Sequence, residues 1–191
     1  MSKEDKMLSV AELEQKNIIA NSPLSEADLR KAEQILLNIH DKTAEGIKKG
    51  KGPFYAEIYD AEGNLVVAAS NSVVEDNCAL YHAEVNTLRL AHQKFGEYDL
   101  SKHNLTIYVN AEPCVMCTGA IMWSGVKTVF YSVASKDVEQ ITGFDEGYKP
   151  DWVNEFKKRG IKVYGNIESA KGCQVLEDYV KEGNKIYKPE R

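Results

Sequence analysis

Apolar positions recur along the chain in two rhythms, one helical and one alternating. Residues 9–20 read as a weak helix with Ser9 and Glu12 spaced as a capping box, and Asn21, Ser22 and Pro23 break it. Leu29, Ala32, Ile35, Leu36, Ile39 and Ala44 then fall on one helical stripe, with Ser25 and Asp28 where a cap belongs. GKGPF, Gly50 to Phe54, ends that helix. Two runs of strand character follow, FYAEIYD (54–60) and NLVVAAS (64–70), joined by AEG as in a hairpin.

Past a polar loop, NSVVEDNCALY, the stripe Val85, Leu88 and His92 marks a helix from about Ala83 to Phe95. LTIYVN (105–110) reads as a buried strand, CVMCTGAIMWSG as a short helix and VKTVFYSV (126–133) as another strand. An irregular stretch around GFDEGY precedes a helix at Asp151 to Lys158, a strand at 161–165 and a last helix at Ser169 to Glu182. Helices alternating with strands behind an initial hairpin predict an α/β fold. The expected form is a three-layer α/β/α sandwich around a mixed sheet of about five strands. The expected division is an N-terminal arm, residues 1–24, ahead of one domain, residues 25–191.

At 191 residues the chain can bury a substantial core. Its 24 basic and 29 acidic residues leave a net charge of −5, which gives no electrostatic footprint for a nucleic acid. No apolar run approaches the roughly 20 residues that cross a bilayer. The N-terminal MSKEDKMLSV lacks the apolar centre of an export signal, so a cytoplasmic protein without a membrane partner is expected. In that setting the four cysteines point to metal ligation rather than a disulfide framework.

The chemistry concentrates in YHAEV (81–85) and EPCVMC (112–117). Cys114 and Cys117 are three apart, one turn of helix, and Pro113 suits a helix start. The positive end of that helix favours thiolate. His82 stands just ahead of its own apolar helix. If both helix starts meet beside strand 105–110, a nitrogen and two sulfurs converge on one zinc ion per chain. Three protein ligands leave a fourth position open, as in catalytic rather than structural sites. Water there would have its pKa lowered to about 7 and become hydroxide. Glu84 leaves the chain in a different direction from His82 and is positioned to shuttle that proton. In the competing arrangement Cys78 is a fourth ligand of a closed site, which leaves Glu84 without a task. Cys173 reads as a packed thiol, and His40, His92 and His103 have no partner spacing.

H-x-E followed by P-C-x-x-C is the signature of zinc nucleobase deaminases. Over roughly residues 50–180 the chain resembles the cytidine deaminase-like superfamily. Histidine at 82 departs from the small tetrameric cytidine deaminases, and the C-V-M-C spacing departs from the riboflavin-pathway enzymes. The guanine deaminase-like branch is the one that GPF (52–54), AIMW followed by VKTVFY, and TGFDEGY (142–148) resemble.

That resemblance implies roles for particular residues. Phe54 would stack on a purine, Trp123 line its pocket and Asn71 read the base edge. Glu146 would be a second catalytic acid, with Asp145 the neighbouring candidate, and Tyr187 would close the pocket. The implied reaction is hydrolysis of guanine to xanthine and ammonia, with zinc hydroxide attacking C2 while Glu84 moves the proton. Cytosine, aminotriazine and tRNA adenosine deaminases are the alternatives, together with an inactive zinc-stabilised binding protein that would have no need of Glu84. The implied partners are a small nucleobase and a second copy of the chain, a homodimer with exchanged C-terminal tails. The acidic balance and GFDEGY argue against a nucleic-acid substrate. Tyr81 before His82, the first 24 residues and the tail KPER depart from the pattern of the branch.

Overall fold

The computed structural model describes residues 5–188. The chain begins with β1 (Met7–Leu8), α1 (Val10–Gln15), β2 (Ile19–Ala20), β3 (Leu24–Ser25) and the long α2 (Glu26–Ile47). The hairpin β4 (Tyr55–Tyr59) and β5 (Leu65–Ser70) leads to α3 (Ala83–Phe95), β6 (Thr106–Ala111) and α4 (Val115–Ser124). Then come β7 (Thr128–Val133), α5 (Ser135–Thr142), α6 (Trp152–Lys158), β8 (Lys162–Gly165) and α7 (Ser169–Lys181).

The main sheet is mixed and runs β2-β8-β7-β6-β4-β5, with β6, β7 and β8 parallel and the remaining pairs antiparallel. It has six strands, not the five or so expected. The additional one, β2, is only two residues long and was hidden in a segment read as weakly helical. Helix α1 stops at Gln15, and Ile19 and Ala20 then pair with Gly165 and Tyr164. Leu8, Leu13, Ile18 and Leu24 bury in the same cluster as Leu29, Ala32, Leu36 and Ile39 of α2.

Strand alternation decides which side chain meets which layer. Ile107, Val109, Val129, Tyr131 and Val163 point to the layer of α3, α4 and α6. The intervening Tyr108, Phe130 and Tyr164 point to α2. Because those three are in register, their rings stack at centroid spacings of 4.8 Å, the separation of neighbouring strands. The C-terminal ends of β6 and β7 are covered by α5 and α7 through Ala111, Val133, Val138, Phe144 and Leu176. The α/β/α layering expected from the element order is present. Among the described residues no helix is long and apolar enough to cross a membrane.

Leu13 is completely buried, so Leu13→Ala should cost about 2–5 kcal/mol in chemical denaturation. An effect below about 0.5 kcal/mol would mean that the first segment adds nothing to the core. His40 is also completely buried, with Nε2 2.9 Å from the Ser132 hydroxyl, and burial lowers its pKa to about 4. It stays neutral in the fold while the unfolded chain takes up a proton below about pH 6.5. Its contribution is therefore present above that pH and is lost as pH falls toward 4. Unfolding free energies of wild type and His40→Gln, measured from pH 7 to 5, should diverge in slope below pH 6.5, with the wild type steeper.

Candidate active site

Helices α3 and α4 begin side by side near the C-terminal end of β6. The N-cap of α3 is His82 and that of α4 is Cys114, both in extended backbone and neither using its side chain as a cap. The positions that ordinarily carry capping hydroxyls or carboxylates instead hold an imidazole and a thiol directed elsewhere. Cys117 follows one turn into α4 and is fully buried. Both helix dipoles present their positive ends here, which favours thiolate.

His82 Nδ1 lies 3.5 Å from Cys114 Sγ and 3.7 Å from Cys117 Sγ. All three ligand atoms fall within 4.8 Å of one another. Tetrahedral zinc, with bonds of about 2.3 Å to sulfur and 2.0–2.1 Å to nitrogen, holds such atoms about 3.5 Å apart. The donor set and spacing fit zinc. Cys78, the competing fourth ligand, is outside this group, so a closed four-ligand site does not form among the described residues.

The sulfurs are electrostatically coupled. A hydrogen bond from Cys117 lowers the Cys114 pKa to about 4, against the opposing effect of burial and with help from His82. The same contact, with burial and the Glu84 carboxylate, pushes Cys117 well above its usual value. For His82, burial favours the neutral ring, but the Cys114 contacts outweigh it and raise the pKa. Glu84 is raised to about 7 by burial and then by the Cys114 charge. Glu146 is raised to about 8, again by burial first and Cys114 second, with Lys149 opposing.

A cavity of about 840 Å³ opens onto this cluster and is lined by Glu84, Glu146, Asp145, Phe54, Phe144 and Tyr187, among others. Its size falls in the usual range for small-molecule sites. Phe54 and Phe144 meet edge to face at 5.4 Å, and Tyr187 lies 4.7 Å from Phe144 and 6.5 Å from the His82 ring. Asn110 fixes Phe54 from both sides: its amide donates to the Pro53 carbonyl and its oxygen accepts from the Tyr55 N–H. The Phe54 carbonyl in turn accepts the Asn71 N–H at 2.9 Å. Asn71 is buried, its side-chain oxygen accepts from Val73, and its amide nitrogen has no protein partner. Only glycine fits opposite it, because a Cβ at Gly52 would come within 2.7 Å of that oxygen.

Trp123 was expected to line the pocket and does not. It lies on the outer side of α4 with 82% of its surface exposed, because Cys117, Ile121 and Ser124 occupy the buried side. Phe144, in contrast, carried no signal of its own in the sequence beyond its place in GFDEGY, yet it joins Phe54 to Tyr187. Glu112 and Lys149 were also missed. They flank the Pro-Cys turn and the acidic loop, and a partly buried pair of opposite charges cannot be read from two segments 37 residues apart.

Comparison with known proteins adds ancestry to this geometry. Residues 29–133 match the family described as the cytidine and deoxycytidylate deaminase zinc-binding region. The chain belongs to this deaminase family. The match contains all three ligands and Glu84, whereas Glu146 and Tyr187 lie beyond it. Among members of the family, guanine deaminase of Bacillus subtilis is 34% identical over 104 residues, 54% of this chain and 65% of that protein. The probable cytosine deaminase of Schizosaccharomyces pombe is 30% identical over 139 residues, 71% of this chain and 78% of that one. The solved structure of guanine deaminase from Nitrosomonas europaea superposes with a TM-score of 0.74 at 36% identity, covering 77% of this chain and 83% of the other.

Cys114→Ser and Cys117→Ser should each bring zinc per chain, measured by plasma mass spectrometry, from near one to near zero. They should also lower the melting temperature, since binding energy at such a site is folding energy. If Cys78→Ser removed the zinc while these two kept it, the ligand assignment would be wrong.

Proposed function

We propose that the protein is a zinc-dependent guanine deaminase that converts guanine and water into xanthine and ammonia. The observation that carries this reading is the pair of buried carboxylates, Glu84 and Glu146, that line one cavity with the His/Cys/Cys cluster and a wall of aromatic rings. Guanine deaminases from two bacteria among its relatives support the choice of base.

Zinc held by His82, Cys114 and Cys117 would supply the Lewis acidity that ionises water near neutral pH. Glu84 accepts the proton of the attacking water and returns it to the departing amine, so one carboxylate serves as base and then as acid. Attack at C2 and expulsion of ammonia replace the exocyclic C–N bond with C=O. Glu146, with Asp145 beside it, engages the amino and ring-nitrogen edge of the base. Asn71 offers its unpartnered amide nitrogen to the opposite acceptors. Phe54 contributes a face on which a bicyclic ring stacks, and Tyr187 closes the cavity from the C-terminal segment of its own chain.

Homodimer assembly in the cytoplasm belongs to the same reading. It is supported by exposed Trp123 and Val115 on α4, an apolar surface suited to a second copy. Exchange of C-terminal tails would bring a partner's tail to the place that Tyr187 reaches in cis.

Ammonia release from guanine, cytosine, adenine and guanosine, measured in parallel with zinc-loaded protein, tests the assignment. Release from guanine alone is expected. Glu84→Gln should keep its zinc and lose on the order of 10²–10⁴-fold in kcat. Release from cytosine instead of guanine would overturn the choice of base, and full turnover in Glu84→Gln would overturn the proton shuttle.

A further inference from the structure

The loop 143–150 carries Asp145 and Glu146 between α5 and α6 with no regular structure of its own. Two backbone contacts hold its centre. The Val115 N–H donates to the Glu146 carbonyl at 3.0 Å, and the Glu146 N–H donates to Glu139 Oε1 at 3.2 Å. Gly147, with φ +73°, lies so close to α4 that a Cβ there would come within 2.6 Å of Val115 Cγ1.

Three residues past Glu146, Lys149 turns inward with only 7% of its side chain exposed. Its ammonium has an acceptor for each of its three protons: Glu112 Oε1 at 2.9 Å, the Pro113 carbonyl at 2.7 Å and the Ser135 hydroxyl at 2.5 Å. Glu112 is equally committed. Its Oε1 also accepts the Trp152 indole N–H at 2.9 Å, and its Oε2 accepts the Ser135 N–H at 2.9 Å. Glu112 stands two residues before Cys114, so one partly buried ion pair joins the segment bearing a metal ligand to the loop bearing the acids. Two desolvated charges are a poor route to stability, and an apolar pair of the same volume often serves as well. What they provide is directionality: two hydrogen bonds join Lys149 to the Glu112–Pro113 turn, and three more tie the pair to Ser135 and Trp152 at the starts of α5 and α6.

We infer that Lys149 is a positioning residue: through its partly buried ion pair with Glu112 it docks the loop carrying Glu146 onto the turn carrying Cys114. The kinetic part of this inference rests on the guanine deaminase reading, whereas the docking part does not.

Lys149→Met, Ser135→Ala and Glu146→Gln, singly and in pairs, test it by zinc content, hydrogen exchange at the Val115 amide and kcat/KM for guanine. Lys149→Met should keep zinc near one per chain and exchange the Val115 amide at least about tenfold faster, with β6 and β7 amides unchanged. Its kcat/KM should fall on the order of 100-fold, the usual consequence of a small misplacement of reacting groups. In the Glu146→Gln background the same change should cost almost nothing, because the group it positions is already disabled. Losses that multiply, or Val115 exchange that stays at the wild-type rate, would overturn the inference. Should Lys149→Met fail to fold, Ser135→Ala, which removes one acceptor without stranding a charge, decides by the same two criteria. If wild-type protein releases no ammonia from guanine, the functional reading fails, and Val115 exchange still decides the docking.

Discussion

Two helix starts brought to one point beyond a strand end are the constraint from which the rest of the site follows. An N-cap residue has extended backbone, so its side chain leaves the helix axis and points across the gap. With His82 and Cys114 in those positions, neither spent on capping, the ligands face each other across a gap close to that of tetrahedral zinc. The sheet makes this possible. Strand β6 is buried along nearly its whole length and delivers the Pro-Cys turn from a position that packing holds on both faces. Small shifts of β6 would separate ligands on which the rest of the cavity depends.

Around that point the protein gathers groups that are costly to bury. Glu84, Glu146 and Asn71 are each less than a tenth exposed, and burial, followed by the Cys114 charge, drives both carboxylates toward the neutral form. A divalent cation changes that balance, because it is the largest local charge and draws carboxylates and thiols toward ionisation. The site is therefore a set of individually unfavourable burials that make chemical sense together. The apolar clusters on both sides of the sheet, fed by α2, α3 and residues 8–24, supply the stability that such a site lacks.

The loop with Asp145 and Glu146 lines the cavity without regular structure of its own, and it sits beside the start of α4. Its attachment through Lys149 and Glu112 ties the loop that carries Glu146 to the same turn that presents Cys114. The metal-ligand turn and the acidic loop thus meet at one short stretch of backbone, Glu112 to Cys114.

Much of this was legible in the one-dimensional pattern. Apolar periodicity located α2, α3 and α7 and strands β4 to β8, because each buries one face whose spacing is set by local geometry. His82, Cys114 and Cys117 were legible because metal ligation demands particular side chains at particular spacings near helix starts. The edge strand β2 was not, since two residues make too short a run to alternate, and its partner β8 lies more than 140 residues later. The outward side of Trp123 was not legible because α4 is apolar almost all round, so periodicity cannot say which side faces inward. That choice fell to the packing of Ile121 and Ser124. Phe144 meeting Tyr187, and Lys149 meeting Glu112, join segments that only the finished fold brings together. The sequence by itself determined the order of the longer elements, the metal ligands and the kind of chemistry, all set by local spacing; it did not show α5 or the two-residue strands β1, β2 and β3. The tertiary structure alone decided what walls the cavity and how its acidic loop is held, because those contacts depend on distances in space that no local spacing encodes.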